Sequence, residues 1–506
     1  MEKYLFNKNK NNGAYNLLMG FPACKAFALS SLGYMWLYKT ASEEHDINVN
    51  MVCTDFTPNI NTKNIDAISF SMSFDFDFNG VFEILDIYKI PFLSEEREAN
   101  YPVIFAGGPV ISTNPEPYKK IFDFMVIGDG EELVKDILKI ISQNPDKKNL
   151  LIELSKLDGI YVPNITKKVK KVTEKLDNVI YSPVISDESY FKNTFIIELA
   201  RGCMNRCAFC TASYLNLPFR NYEYEKIIQT IELGLKHTNK IALLGAQISA
   251  HPQFEKILGY INNKIKNGTS IELSLSSLRT DAVSPELVQT LVAGGQKSST
   301  IAIEAASERL RKFINKHLTN QQIFDAVKIA RENGLKAIKI YSMIGIPSET
   351  DEDINEFVTL AKELKKQNKG FDITFSFSSF VPKPQTPFQN CPRENTKSLE
   401  NKQKFIEKSL SKIGISSKFS SIKWDYWQTV LSRGNENLTP FLINVYRNGA
   451  KLGDYKKVVK DLNLDISDTI NGYKENEFLP WDFIENFTTK SQLNNEYKRL
   501  CKYTTR

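Results

Sequence analysis

The chain has 506 residues, 42% of them hydrophobic and 25% charged, with a formal net charge of +6. That is enough apolar material for more than one core, and two or three domains are expected. No run of 18 or more apolar residues occurs and the start, MEKYLFNKNKNNG, has no signal-like apolar segment, which speaks against a membrane span or secretion and for a cytoplasmic protein. The basic residues form no long run, so there is no strong nucleic-acid signal.

Residues 1–145 alternate apolar strand-like runs with helical stretches. The expected strands are Tyr15–Met19, Ile47–Thr54, Ile65–Ser71, Val103–Ala106 and Phe122–Ile127. Expected helices cover Ala28–Lys39, Gly80–Tyr88 and Glu131–Ile141. This order predicts a Rossmann-like, doubly wound parallel sheet, whose ligands bind at the carboxyl edge of the strands. Gly107 and Gly108 follow one strand directly and Gly128 the next. Both loops are candidate cofactor contacts, with a plain glycine turn as the competing reading. His45 is the sole N-terminal histidine and is expected to be solvated. Residues 146–190, rich in Lys, Asn and Pro, read as a linker with a small β element.

Residues 191–390 begin with an apolar, β-branched strand, Asn193–Leu199, which runs into Glu198-Leu-Ala-Arg-Gly-Cys-Met-Asn-Arg-Cys-Ala-Phe-Cys210. Three of the seven cysteines, Cys203, Cys207 and Cys210, lie there in a C-x3-C-x2-C run, while Cys24, Cys53, Cys391 and Cys501 are scattered singly, unlike a disulfide framework. Three soft thiolates are one short of a closed zinc or iron–sulfur site, so either a fourth ligand lies elsewhere or one position stays open. Further strands are expected at Lys240–Leu244, Ile271–Leu275, Ser298–Ile303, Ala337–Ile344 and Asp372–Phe377, with helices between them. Six β/α units predict a partial TIM-type barrel, with the cysteine loop on its carboxyl-end face.

The cysteine spacing is the signature of the radical S-adenosylmethionine enzymes, and the chain resembles that superfamily beyond it. FAGGPVISTNPEPYKKIFDFMVIGDGEELV is similar to the cobalamin-binding-type domain that precedes the core in one branch, although no D-x-H-x-x-G motif supplies an imidazole for cobalt. The resemblance implies that Cys203, Cys207 and Cys210 hold a 4Fe–4S cluster whose open iron chelates S-adenosylmethionine. It implies reductive cleavage to a 5′-deoxyadenosyl radical, with the electron drawn from a donor such as flavodoxin or ferredoxin. Cofactor contacts carried over by position are Phe209 between two ligands, Gly245-Ala246-Gln247 after the second strand, and Ser277 and Arg279 after the third. Glu304 after the fourth (IAIEAASERLR) and Gly345 after the fifth complete the set. If cobalamin fills the N-terminal domain, methyl transfer to an unactivated carbon is the reaction implied. Methylthio transfer is the alternative enzyme reading, but the N-terminal region has only Cys24 and Cys53 for a second cluster. A non-catalytic zinc module is the alternative from another class.

Arg309 and Arg311 fall within a helix and are expected on a solvated face. Pro382, Lys383 and Phe388, in a loop stiffened by three prolines, are expected at the substrate entrance or in a rigid barrel closure. His251 is expected to be a capping or packing residue, with contact to substrate or cofactor as the minor reading. Residues 391–506 read as helical, with Trp424, Trp427 and Trp481 in a core.

Overall fold

A computed structural model describes residues 2–7, 14–98, 100–144, 146–276 and 278–504. The N-terminal sheet is built from β1 (Tyr15–Phe21), β2 (Ile47–Cys53), β3 (Ala67–Ser71), β4 (Val103–Gly107), β5 (Phe124–Val126) and β6 (Ile160–Tyr161), in the order β2-β1-β3-β4-β5-β6. All pairings are parallel except β5 with β6. The order reverses at β1, so a topological switch point lies between β1 and β3, where such sheets open a crevice. Strand alternation splits the side chains between two cores: Leu17 and Met19 face one side, packed with α1 (Leu32–Glu43) and α3 (Leu133–Gln143). Leu18, Ile68, Phe70 and Ile104 face the other, where α2 (Phe78–Ile87) packs.

That second face is completed from the far end of the chain. Trp427, Val430 and Leu431 of α10 (Ile422–Arg433), Phe441 and Leu442 of α11 (Leu438–Arg447), and Tyr455 of α12 (Leu452–Asp461) belong to the same buried cluster as α2. Trp427 and Trp481 are buried as expected, and the Trp481 indole donates to Gln389 Oε1 at 2.8 Å. The stretch 146–190, expected as a linker with a small β element, supplies a helix (Lys147–Leu154), the antiparallel edge strand β6, and Val172 bridged to Gly128.

The barrel strands are β7 (Thr194–Glu198), β8 (Lys240–Leu244) and β9 (Glu272–Leu275), then β10 (Leu278–Arg279), β11 (Ser298–Glu304), β12 (Ala337–Ile344), β13 (Asp372–Ser379) and β14 (Ser416–Phe419). They form parallel sheets β7-β8-β9 and β10-β11-β12-β13-β14. Strand β14 extends the partial barrel past the six expected units; its polar alternation, SSKF, carried little strand signal. The surrounding helices α4 (Tyr224–Leu235), α5 (Phe254–Lys266), α6 (Pro285–Ala293), α7 (Asn320–Glu332), α8 (Asp351–Gln367) and α9 (Thr396–Lys412) bury one stripe each. Capping boxes at Thr319 and Thr350 fix where α7 and α8 begin. A last helix, α13 (Lys490–Cys501), packs beside the cysteine loop. Among the described residues no helix is long and apolar enough to cross a membrane.

Candidate active site

The three cysteines sit on the loop that leaves β7, at the carboxyl end of the barrel. The loop is held from behind: the Ala208 amide donates to the Ile314 carbonyl (2.9 Å) and the Ala208 carbonyl accepts from the Phe388 amide (3.2 Å). Asn315 Nδ2 and Tyr214 Oη both donate to the Arg206 carbonyl. Arg206 itself is left-handed, with φ 49°. Gly202, at φ +86°, has room for no side chain, because a Cβ would lie 2.4 Å from the Asn216 carbonyl oxygen. Cys207 is buried, and burial pushes its thiol up to about 12, with Lys316 pulling the other way. Cys203 Sγ donates to Gln247 Oε1 at 3.3 Å, and Asn205 Nδ2 lies 3.6 Å from the same sulfur.

Among the described residues no three of His, Cys, Asp and Glu converge on a single-ion site. A closed zinc centre needs four ligands around one ion, and the loop itself supplies three thiols. Three soft sulfurs on one braced loop fit a multi-iron cluster with one open position.

The residues carried over by position end successive strands on this face. Gly245 lies against the Ala200 carbonyl, and its own carbonyl accepts from Ser276 Oγ at 3.3 Å. Ala246 is exposed beside Gln247. Ser277 lies outside the described residues. Arg279 pairs with Asp281 at 2.6 Å. Glu304 closes β11 after a register shift and adopts φ +66°, a costly conformation for a side chain of its size. Its carboxylate holds Lys316 at 2.9 Å. Phe209 packs against the small cluster behind the loop that includes Ala305 and Phe313. Gly345, at φ +78°, is pressed by Leu399 of α9, and its amide donates to Glu349 at 2.7 Å.

Several expectations change. Arg311 is fully buried rather than solvated, donating to the carbonyls of Ala305, Ala306 and Leu318, so it stitches the turn after β11. Arg309 binds Asp353 and the Tyr503, Thr504 and Ser348 carbonyls. Phe388 is not at an entrance: it is buried with Phe313, Phe380 and Tyr497. The His251 ring accepts from the Gln253 amide at Nδ1, which leaves Nε2–H to donate to the Tyr222 carbonyl at 2.8 Å. Both nitrogens are spent on local structure.

Across from the cysteine loop, the carboxyl edge of the N-terminal sheet opens into a cavity of about 380 Å³. Its shaft is apolar, with Leu17, Met19, Phe105 and Val126; Ser71, Gly107 and Gly108 stand at the sheet edge. Gly108 and Gly128 need glycine for backbone reasons. Their φ values are +104° and +113°, and added Cβ atoms would lie 2.5 Å from the Met72 oxygen and 2.1 Å from the Val172 oxygen. At Gly107 a Cβ would sit in ordinary contact with Val126, at 3.4 Å, so local packing does not require glycine there.

The cavity's other wall is the start of the cysteine loop, and an ion network bolts the two together. Arg201 binds Asp129 (3.1 Å), Glu131 (2.7 Å) and Glu198 (2.9 Å), and Arg220 binds Asp129 (2.7 Å). Tyr222 Oη donates to Glu198. Burial disfavours the Arg201 charge, but Glu198 and Glu131 hold its guanidinium above its ordinary range. Burial raises and Arg201 and Arg220 lower the Asp129 carboxyl, with a net depression. Lys171, buried and lining the same cavity, is pushed down to about 8 by burial and by the two arginines, against the pull of Asp129. Sequence reasoning placed Asp129 only in a glycine loop and missed Arg201 and Lys171. The one available signal for Arg201 was its position two residues before Cys203.

A second cavity, about 220 Å³, adjoins the first through Ser73 and Pro109 and reaches Thr211, the residue after Cys210. Asp75 lies in it, bound by Lys383 (2.7 Å) and Gln428 (2.8 Å) on one oxygen.

Known proteins place this architecture. Residues 36–163 match the family described as "Radical SAM proteins, N-terminal", and residues 197–361 match the "Radical SAM superfamily". An uncharacterized protein of Methanocaldococcus jannaschii is 32% identical over 438 residues, covering 84% of this chain and 90% of that one. An uncharacterized methyltransferase of Pyrococcus horikoshii is 26% identical over 381 residues, covering 70% and 76%. The fold is similar to that of the cobalamin-dependent S-adenosylmethionine radical enzyme OxsB, solved with aqua-cobalamin and S-adenosylmethionine bound. The TM-score is 0.57 at 13% identity, over 96% of this chain and 78% of that one. With the three-cysteine loop at the mouth of its barrel, the chain belongs to the radical S-adenosylmethionine superfamily and is a radical S-adenosylmethionine enzyme.

Proposed function

We propose that this enzyme methylates an unactivated carbon, using a 4Fe–4S cluster on Cys203, Cys207 and Cys210, S-adenosylmethionine at the barrel mouth, and cobalamin at the edge of the N-terminal sheet. The observation that carries this reading is the 380 Å³ cavity, which shares its wall with the cysteine loop. When bound, the reduced cluster supplies the electron that cleaves S-adenosylmethionine, and cobalamin supplies the methyl group. Leu17, Met19, Phe105 and Val126 offer an apolar shaft to a flat heteroaromatic group, and Gly107 permits close approach at the rim. Ser69, Ser71 and Ser112 supply hydroxyls for amide side chains. Among the described residues lining the cavity there is no histidine, which favours a cobalt without a protein imidazole.

Gln247, Arg279 and Glu304 are the side chains we assign to S-adenosylmethionine, where Glu304 would accept from hydroxyl groups and Arg279 would meet a carboxylate. Lys316 fixes the orientation of Glu304, and the braced loop excludes water from Cys207. The superfamily's chemistry needs a reductant, and a flavodoxin- or ferredoxin-type donor fits that need.

The test is anaerobic reconstitution followed by metal analysis and a cleavage assay. Iron near four per chain, cobalt near one per chain and 5′-deoxyadenosine formation are expected. Cys207→Ala should lose cleavage by at least about a hundredfold, or 2.7 kcal/mol in barrier, while still binding cobalamin. Persistent cleavage in that variant would remove the cluster assignment. Iron without cobalt in the wild type would remove the cobalamin route.

A further inference from the structure

The second cavity has a composition that the cofactors leave unexplained. It is walled by the loop after β3 (Ser73, Phe74, Asp75), the segment after β4 (Pro109), the residue following Cys210 (Thr211), the proline-stiffened loop (Lys383) and α10 (Gln428). It thus touches the edge of the cobalamin cavity on one side and the cysteine loop on the other. None of its lining residues comes from the ends of β8 to β12, where the S-adenosylmethionine contacts are carried. A molecule that receives a methyl group from one edge and loses a hydrogen at the other has to lie between them.

At about 220 Å³ the cavity is smaller than sites that enclose drug-sized ligands. Its charged feature is an ion pair, not a single charge. Asp75 is 6% exposed, and its Oδ2 accepts from Lys383 Nζ at 2.7 Å and Gln428 Nε2 at 2.8 Å. Lys383 is the more exposed partner, on a long flexible stem. Opening such a pair for a ligand with one charge would strand the other member, which is expensive in a desolvated site. A ligand carrying both charges on one carbon pairs both members. Gln428 remains on Asp75 when Lys383 turns away, so the carboxylate is never left without a donor.

From this geometry we infer that the cavity binds the substrate and recognises a free α-amino acid group, with Asp75 receiving the ammonium and Lys383 the carboxylate. Phe74, half exposed at the rim, offers a face to the side chain. The inference deepens the methyl-transfer reading and rests on it for the word substrate, but the binding it predicts does not require cobalamin.

Protein reconstituted with its cluster and saturated with S-adenosylmethionine, without cobalamin, is titrated calorimetrically with each of the twenty standard amino acids. Every binder is repeated as its N-acetyl and methyl-ester forms. At least one amino acid should bind with Kd below about 1 mM, and each block should weaken it tenfold or more, about 1.4 kcal/mol. Asp75→Asn should weaken the free amino acid tenfold and make the N-acetyl block nearly neutral. Lys383→Met should do the same for the ester. A purely structural role for the pair would instead lower all three forms alike, and that result overturns the proposal. So does binding of no amino acid at about 10 mM, above the weakest affinity expected of a built site. Absence of cobalt uptake in the separate metal analysis would count against the cobalamin route and leave this titration standing.

Discussion

Single residues carry opposite costs at this site. Arg201 gathers three carboxylates and gains from each, whereas Lys171, in the same cavity, is a buried amine beside two guanidinium groups. With its pKa lowered to about 8 from about 10.5, the folded state binds that proton less tightly than the unfolded chain. The sign follows: Lys171 destabilises the fold throughout the range below about 8, and stability rises with pH between about 8 and 10.5. Lys171→Met should therefore raise unfolding free energy at pH 7 by about 1–3 kcal/mol. Urea unfolding should show the gain shrinking as the pH climbs past 8. A variant that is less stable at pH 7 would mean that the amine has a partner worth more than its desolvation. Glu304 is the backbone counterpart: a left-handed φ is a local cost at the strand end whose carboxylate holds Lys316.

At the scale of elements, the loop after β5 and the start of the cysteine loop act as one unit through Asp129, Arg201 and Arg220. The Asp129 carboxyl is held below its ordinary value. Its contribution is present above the unfolded value near pH 4 and is lost as pH falls through the folded one. Wild type should then lose stability more steeply than Asp129→Asn between about pH 5 and 3, measured by urea unfolding across that range. Parallel curves would show that the bolt carries no net stability. This element was only partly legible in the sequence. The strands β1 to β5, β7 to β9 and β11 to β13 announced themselves as apolar or alternating runs. The cysteine spacing, with a strand before it, placed the loop at the barrel's carboxyl face. The Asp129–Arg201 contact spans more than seventy positions and has no local pattern. Arg311 looked like a solvated helix residue because a buried guanidinium satisfied by carbonyls leaves no trace in periodicity. Strand β14 was missed because its outward residues are serine and lysine.

At the scale of the molecule, the C-terminal helices are not an appendage. Trp427, Phe441, Leu442 and Tyr455 share one core with Ile68, Phe70 and Phe82, and each such side chain contributes roughly 1.5–3 kcal/mol on burial. A chain ended after Ser420 should leave that face of the N-terminal sheet uncovered. It should bind a hydrophobic dye and yield the N-terminal half to limited proteolysis while residues 191–390 resist. A truncated chain whose first 160 residues stay protease-resistant would show that the sheet stands without its cover. The same arrangement explains how Gln428 of α10 comes to share a cavity with Asp75 and Lys383: a helix recruited to cover the sheet also forms part of the pocket.

That shared core also imposes an order of events on the ribosome. The strands of the N-terminal sheet are all translated by Tyr161, yet α10 to α12, which cover one of its faces, emerge only after the whole barrel has been made. Until then an apolar layer stands open on the nascent chain, a surface that chaperones hold and neighbouring nascent chains can stick to. A segment synthesised after the barrel closes the first domain, and it does so by carrying Gln428 to Asp75. The proposed pocket is therefore assembled only on chains that have been translated through α10, so one interrupted earlier would be expected to bind no substrate.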